Sequence, residues 1–192
     1  PPPPRCSPAP RLPAAAVRPV VGGGGPAVSA RLSPWGVGAP RAGRGVSTPT
    51  TVVRFPRVDR HYYYGDPQRA ADLQAAIDLL DERSKPGETL VVGTGDLRFT
   101  PYSDAIVYWM FPELKPGTFF IEMDPGLANL AGNGLAEDIA EADWVLQTRF
   151  WDEWDEPNDS ANPGDPLPNQ VLAEHFCVVG EWPTVILSER CR

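Results

Sequence analysis

Apolar side chains recur at helical spacing from residue 70 onward. Ala70, Leu73, Ile77 and Leu80 fall three or four apart with Arg69, Asp72, Asp78 and Asp81 between them, which predicts a helix with one buried stripe. Asp66-Pro67 opens it, since aspartate accepts from the unpaired amides of a first turn and proline has no amide to leave unpaired there. Ser84-Lys85-Pro86-Gly87 closes it. The period then changes. Glu88 to Val92, ending at Gly93, predicts a short buried strand. Ser103 caps a second predicted helix through Phe111, which Pro112 ends, and Thr118 to Met123 predicts a second strand. Gly134 to Ala142, with Leu135, Ile139 and Ala142 on one face, predicts a helix that feeds a strand from Trp144 to Thr148. After a long loop, Asn169 caps a predicted helix to about Phe176. Cys177-Val178-Val179, a turn over 180–183 and Thr184 to Ser188 then read as a hairpin.

Helix and strand units in alternation imply a sheet whose strands run mostly parallel. The expected fold is α/β: a small three-layer, Rossmann-like domain with a C-terminal antiparallel hairpin. It covers residues 52–192.

Residues 1–51 form a different region. From position 1 to 50 there are 12 Pro, 8 Gly, 8 Ala and 6 Arg, and no Asp, Glu or Lys. Such a mixture cannot bury enough apolar surface to offset its ordering entropy, so a disordered leader is expected. Those residues also have GC-rich codons, and the leader reads either as a low-complexity linker or as DNA taken out of frame.

Charge divides the chain at the same place. The six leader arginines leave 11 Lys and Arg against 25 Asp and Glu, a charge of −14, for residues 51–192. Such a domain repels phosphate backbones, so nucleic acid is excluded as a partner. No run approaches the roughly 20 apolar residues of a membrane span. The three cysteines lack C-x-x-C spacing, so no zinc site is expected, and no cofactor is implied. Cys177 lies in an apolar run and reads as a buried core thiol. Bridging it to Cys191 requires an oxidising compartment.

In parallel sheets ligands gather at the loops after the carboxyl ends of the strands. The first such loop runs from Gly93 to Tyr102 and holds Asp96 and Arg98. Its Gly93-x-Gly95 pair lacks the third glycine and the directly following helix of a dinucleotide fingerprint, and reads as a tight turn. The second loop holds Glu122 and Asp124. With Asp96 these would converge on neighbouring strands and could hold a hard cation or tune a general acid, or each could serve as a cap or ion-pair partner of Arg98 or Arg149. The third loop holds Trp151, Trp154, Glu156 and Asn158. Indoles bordered by carboxylates and amides suit a sugar face or a protein surface, or anchor the loop. Trp144 reads as core. His175 reads as a helix C-cap. Ser103 lacks the nucleophile elbow of serine esterases.

The blocks Gly95–Asp104, Phe120–Gly126, Trp154–Asn158 and Pro168-Asn169 resemble the soluble carboxy-terminal region of multi-span membrane proteins from bacteria with high-GC genomes. Those proteins are described as uncharacterised or as glycosyltransferases that use lipid-linked sugars. The resemblance implies a membrane-associated domain on the extracytoplasmic face, next to a membrane-embedded part of the same parent protein and to a sugar or lipid-linked sugar. It also implies that this region is not catalytic alone, because the family's catalytic carboxylate sits between early transmembrane helices. Candidate ligand contacts are Asp96, Arg98, Tyr102, Glu122, Asp124, Trp151, Trp154, Glu156, Asn158 and Asn169. The alternatives are a free-standing enzyme using Asp96, Glu122 and Asp124 around a metal or phosphorylated ligand, and a protein-binding module.

Overall fold

The structure, a computed structural model, describes residues 53–57, 60–118, 125–150, 152 and 157–191. Two antiparallel strands come first, β1 (Val53–Arg57) and β2 (Arg60–Tyr64). A helix, α1 (Pro67–Arg83), follows, capped by Asp66, whose carboxylate accepts from the Gln68 and Arg69 amides. Its buried face carries Ala70, Leu73, Ala76, Ile77 and Leu80, the stripe that the spacing predicts. Next come β3 (Thr89–Thr94), α2 (Ile106–Met110), β4 (Lys115–Pro116), α3 (Leu135–Glu141), β5 (Trp144–Thr148), α4 (Leu167–His175), β6 (Phe176–Glu181) and β7 (Val185–Arg190).

The main sheet has the order β4-β3-β5-β7-β6. β3 pairs in parallel with β4 and β5, and β7 pairs antiparallel with β5 and β6. Four strands therefore share a direction and β7 alone opposes them, so the fold is α/β with a mixed sheet, a parallel centre and an antiparallel C-terminal hairpin.

Side-chain alternation along β3 and β5 gives each face its own core. Leu90, Val92, Trp144 and Leu146 pack with Val185 and Leu187 of β7 against α1 and α2. Val91 and Val145 point the other way, onto Leu135 and Ile139 of α3 and Val171 and Leu172 of α4. Trp144 is buried as expected, with its Nε1 donating to Glu88 Oε2 at 2.7 Å, so the one polar atom of the ring is satisfied.

Three expectations are corrected. The helix expected from Ser103 begins at Ile106 with Ala105 as its cap residue, because Asp104 turns its carboxylate to Tyr64 instead of to the α2 amides. The helix expected from Asn169 begins at Leu167, where Asp165 Oδ1 accepts from the Leu167 amide at 2.9 Å and Pro168 fixes the first turn. Cys177 is not a buried thiol: it is joined to Cys191 by a disulfide, with the Cα atoms 5.3 Å apart, and ties the start of β6 to the end of β7. The expected strand Thr118 to Met123 falls largely outside the described residues, as does the whole of the leader to residue 52.

The β1–β2 hairpin has no counterpart in the sequence reading. Long-range contacts fix it. Arg57 pairs with Asp81 of α1 at 2.7 Å and with Glu113, and its guanidinium lies 3.8 Å from the centroid of the Phe111 ring. Arg60 donates to the Trp109 carbonyl.

Candidate functional site

Among the described residues, two places combine polar chemistry with an accessible surface. The first is the loop at the carboxyl end of β3, where sequence reasoning placed Asp96 and Arg98. Gln147, one position from the end of β5, donates to the carbonyls of Thr94 and Gly95 and holds the loop as it leaves the strand. A side chain at Gly95 would force its neighbours to shift, because a Cβ there would stand 2.5 Å from Asp152 Oδ2 and 2.8 Å from Arg149 Cγ. The same close approach lets the Gly95 amide donate to Asp152. Gly93-x-Gly95 is thus a tight exit from a strand.

Asp96 is committed on both oxygens. Arg98 contacts them through Nε and Nη2, the latter at 2.6 Å, and Asn169 Nδ2 donates to Oδ1 at 2.7 Å. The Arg98 hydrogen bonds are the main reason that the carboxyl is lowered to about 2, with the Arg98 amide and Asn169 helping and burial opposing. A carboxylate so held stays ionised at any physiological pH and has no proton to give. The loop behind it is equally occupied: Asn129 Nδ2 donates to the Arg98 carbonyl at 2.5 Å, and the Gly164 amide donates to that same carbonyl. Thr100 accepts from the Gly126 amide and donates its own amide to the Ser160 carbonyl. Asn158 caps the short 3-10 turn Asp159–Ala161, accepting from the Ser160 amide.

Of the ten candidate residues, the structure therefore brings Asp96, Arg98 and Asn169 together. Asn158 belongs to the neighbouring loop, and Tyr102 lies elsewhere. Glu122, Asp124, Trp151, Trp154 and Glu156 are outside the described residues. Among the described residues, no group of three or more His, Cys, Asp or Glu is arranged to hold a metal ion. Arg149 pairs with Glu181 at 3.1 Å.

The second place is a cleft of about 650 Å³ between the β2 strand, the start of α1 and the segment 102–106. Tyr62 and Tyr64 share one face of β2, with ring centroids 6.1 Å apart. Tyr102 lines the same cleft from the segment 102–106; Tyr62 is 39 % exposed and Tyr102 52 %. The Tyr64 hydroxyl donates to Asp104 Oδ1 at 3.1 Å. Burial pushes the Asp104 carboxyl up, against the hydrogen bond of Tyr64 and the charge of Arg69. Burial, reinforced by Asp104, raises Tyr64 as well, so its phenol keeps its proton. Arg69 and Asp66 lie 3.7 Å apart on the rim, and Arg69 also stacks on Phe150. Ser103, beside Asp104, has a buried hydroxyl oxygen with no hydrogen-bond partner among the described residues. Only Tyr102 of this group is legible as a candidate from the sequence; the run Tyr62-Tyr63-Tyr64 against Gly65-Asp66 is the signal that would have led to the rest.

Compared with protein families, with curated proteins and with solved structures, the chain matches no family model, no curated protein and no solved structure. No described helix is long and apolar enough to cross a membrane.

Proposed function

We propose that residues 52–192 are an extracytoplasmic accessory domain of a glycosyltransferase-like membrane protein, without catalytic activity of their own. The observation that carries the compartment is the Cys177–Cys191 bridge, because disulfides persist in oxidising compartments and are rare where thiols are kept reduced. The accessory role is supported by the strand-end loop. Asp96 sits where an α/β enzyme would keep a reactive carboxylate, yet Arg98 and Asn169 occupy both its oxygens. Held ionised by Arg98 and Asn169, Asp96 has no proton to give as a general acid. The Rossmann-like kinship expected from the helix–strand alternation belongs to the same reading, supported by the parallel β4-β3-β5 centre packed on both faces.

The experiment is fractionation of the cells that naturally make the protein. The reading expects the domain in the membrane fraction, digested by protease added outside intact spheroplasts. Recovery in the soluble cytosolic fraction, protected from that protease, overturns it.

A further inference from the structure

We infer that the tyrosine-lined cleft between β2 and the segment 102–106 is a binding site for neutral carbohydrate. Its volume of about 650 Å³ lies within the roughly 300–1,000 Å³ typical of small-ligand sites. The inference assigns a ligand to a place that the proposed accessory role leaves open, and it does not depend on the compartment.

Ligand class follows from what the walls offer. Tyr62 and Tyr102 both line the cleft and both stay exposed. An aromatic face is electron-rich and suits the C–H face of a pyranose ring, and tyrosine adds a hydroxyl at the ring edge for a sugar hydroxyl to meet. Fixed charge in the cleft is one arginine against two acids, because Arg69 stands beside Asp66 and Asp104 lines the same cleft. A phosphate or carboxylate ligand would meet one arginine whose charge two acids already answer, so an anion gains little there. A wholly apolar ligand would strip water from Asp66 and from the exposed ends of Tyr62 and Tyr102 without replacing their hydrogen bonds. A ligand that offers both C–H faces and neutral hydroxyls satisfies the rings and the polar groups together. The floor is preorganised as well: the Tyr64–Asp104 hydrogen bond joins the hairpin to the loop before α2, so the two walls are held at their spacing before a ligand arrives.

The test is isothermal titration of the full chain with gluco-, galacto- and manno-oligosaccharides, with glucose 1-phosphate as the charged comparison. The expected result is saturable binding of at least one neutral oligosaccharide and weaker binding of the phosphate. Tyr62→Ala and Tyr102→Ala should each weaken it about tenfold or more, equivalent to about 1.4 kcal/mol. Tyr62→Phe and Tyr102→Phe keep the rings, and with them the fold, and should retain most of the affinity. Circular dichroism reports whether each variant is folded. No binding by any of the three neutral series, tighter binding of glucose 1-phosphate, or affinity unchanged in the folded alanine variants overturns the inference. Since these outcomes do not depend on where the protein resides, a failure here is distinct from a failure of the fractionation experiment.

Discussion

Asn169, in the first turn of α4, donates from Nδ2 to Asp96 Oδ1 at 2.7 Å, while its Oδ1 accepts from the Leu97 amide at 3.1 Å. One amide side chain thus pins the strand-end loop from a position 73 residues further along the chain. Replacing it leaves a partly buried amide and a carboxylate each short of a partner. Asn169→Ala should lower stability by about 1–3 kcal/mol in urea unfolding. Asn169→Asp should cost more, because it sets a second negative charge against Asp96. A neutral Asn169→Ala would mean that Arg98 alone holds the loop.

Acid titration provides a second check on the same carboxylate. Asp96 is lowered to about 2, against an unfolded value of about 3.9, so on acidification the unfolded chain takes up the proton first. The stabilisation from this group is present above about pH 4 and is lost as pH falls toward 2. The stability gap between the natural chain and Asp96→Asn should therefore shrink over that interval. A gap that stays constant from pH 5 to pH 2 would contradict the Arg98–Asp96 assignment.

Asp104 should respond in the opposite sense. Its carboxyl is raised by burial, so the folded chain holds the proton more tightly. Its favourable contribution is present below about pH 3.9 and is lost as pH rises through the folded value. Asp104→Asn still accepts from the Tyr64 hydroxyl and carries no charge. The melting temperature of this variant relative to the natural chain should be higher at pH 7 than at pH 4; the reverse order would show that Tyr64 and Arg69 outweigh burial.

Core packing makes a simpler prediction. Trp144 is buried in the core on the α1 and α2 face of the sheet, and Trp144→Ala should cost about 3–5 kcal/mol in chemical denaturation. A cost under about 1 kcal/mol would mean that the face collapses around the cavity or that Trp144 is peripheral.

These residues also mark what the sequence can and cannot express. The stripe Ala70, Leu73, Ile77 and Leu80 is legible because burial there follows a local period, and the strand Trp144–Thr148 because it is a short run buried throughout. β1 and β2 are not. His61-Tyr62-Tyr63-Tyr64 has no alternation of apolar and polar types, Val58-Asp59 between the strands lacks the glycine that marks a tight hairpin, and three of the five β2 residues stay exposed. What holds the hairpin is Arg57 on Asp81 and Glu113, and Tyr64 on Asp104, pairs separated by 24 to 56 residues, beyond any local pattern. Asp96 and Asn169 are each conspicuous as polar residues beside turns. Their partnership is not, since Asn169 also fits a helix cap, and only the earlier start of α4 frees its side chain for the loop.

The Cys177–Cys191 bridge closes a short loop, with the two cysteines 14 positions apart. Its loss should cost roughly 2–4 kcal/mol of stability. Cys177→Ser with Cys191→Ser should fold and melt at a lower temperature than the natural chain. Equal melting temperatures would mean that the bridge does not restrain the unfolded chain.

The most direct measurement of the extracytoplasmic assignment is the state of those two cysteines in the cells that naturally make the protein. Cells quenched in acid, alkylated before reduction and analysed by peptide mass spectrometry should yield Cys177 and Cys191 as a linked pair, untouched by the alkylating agent. Recovery of both as alkylated thiols would put the domain in a reducing compartment and contradict the account.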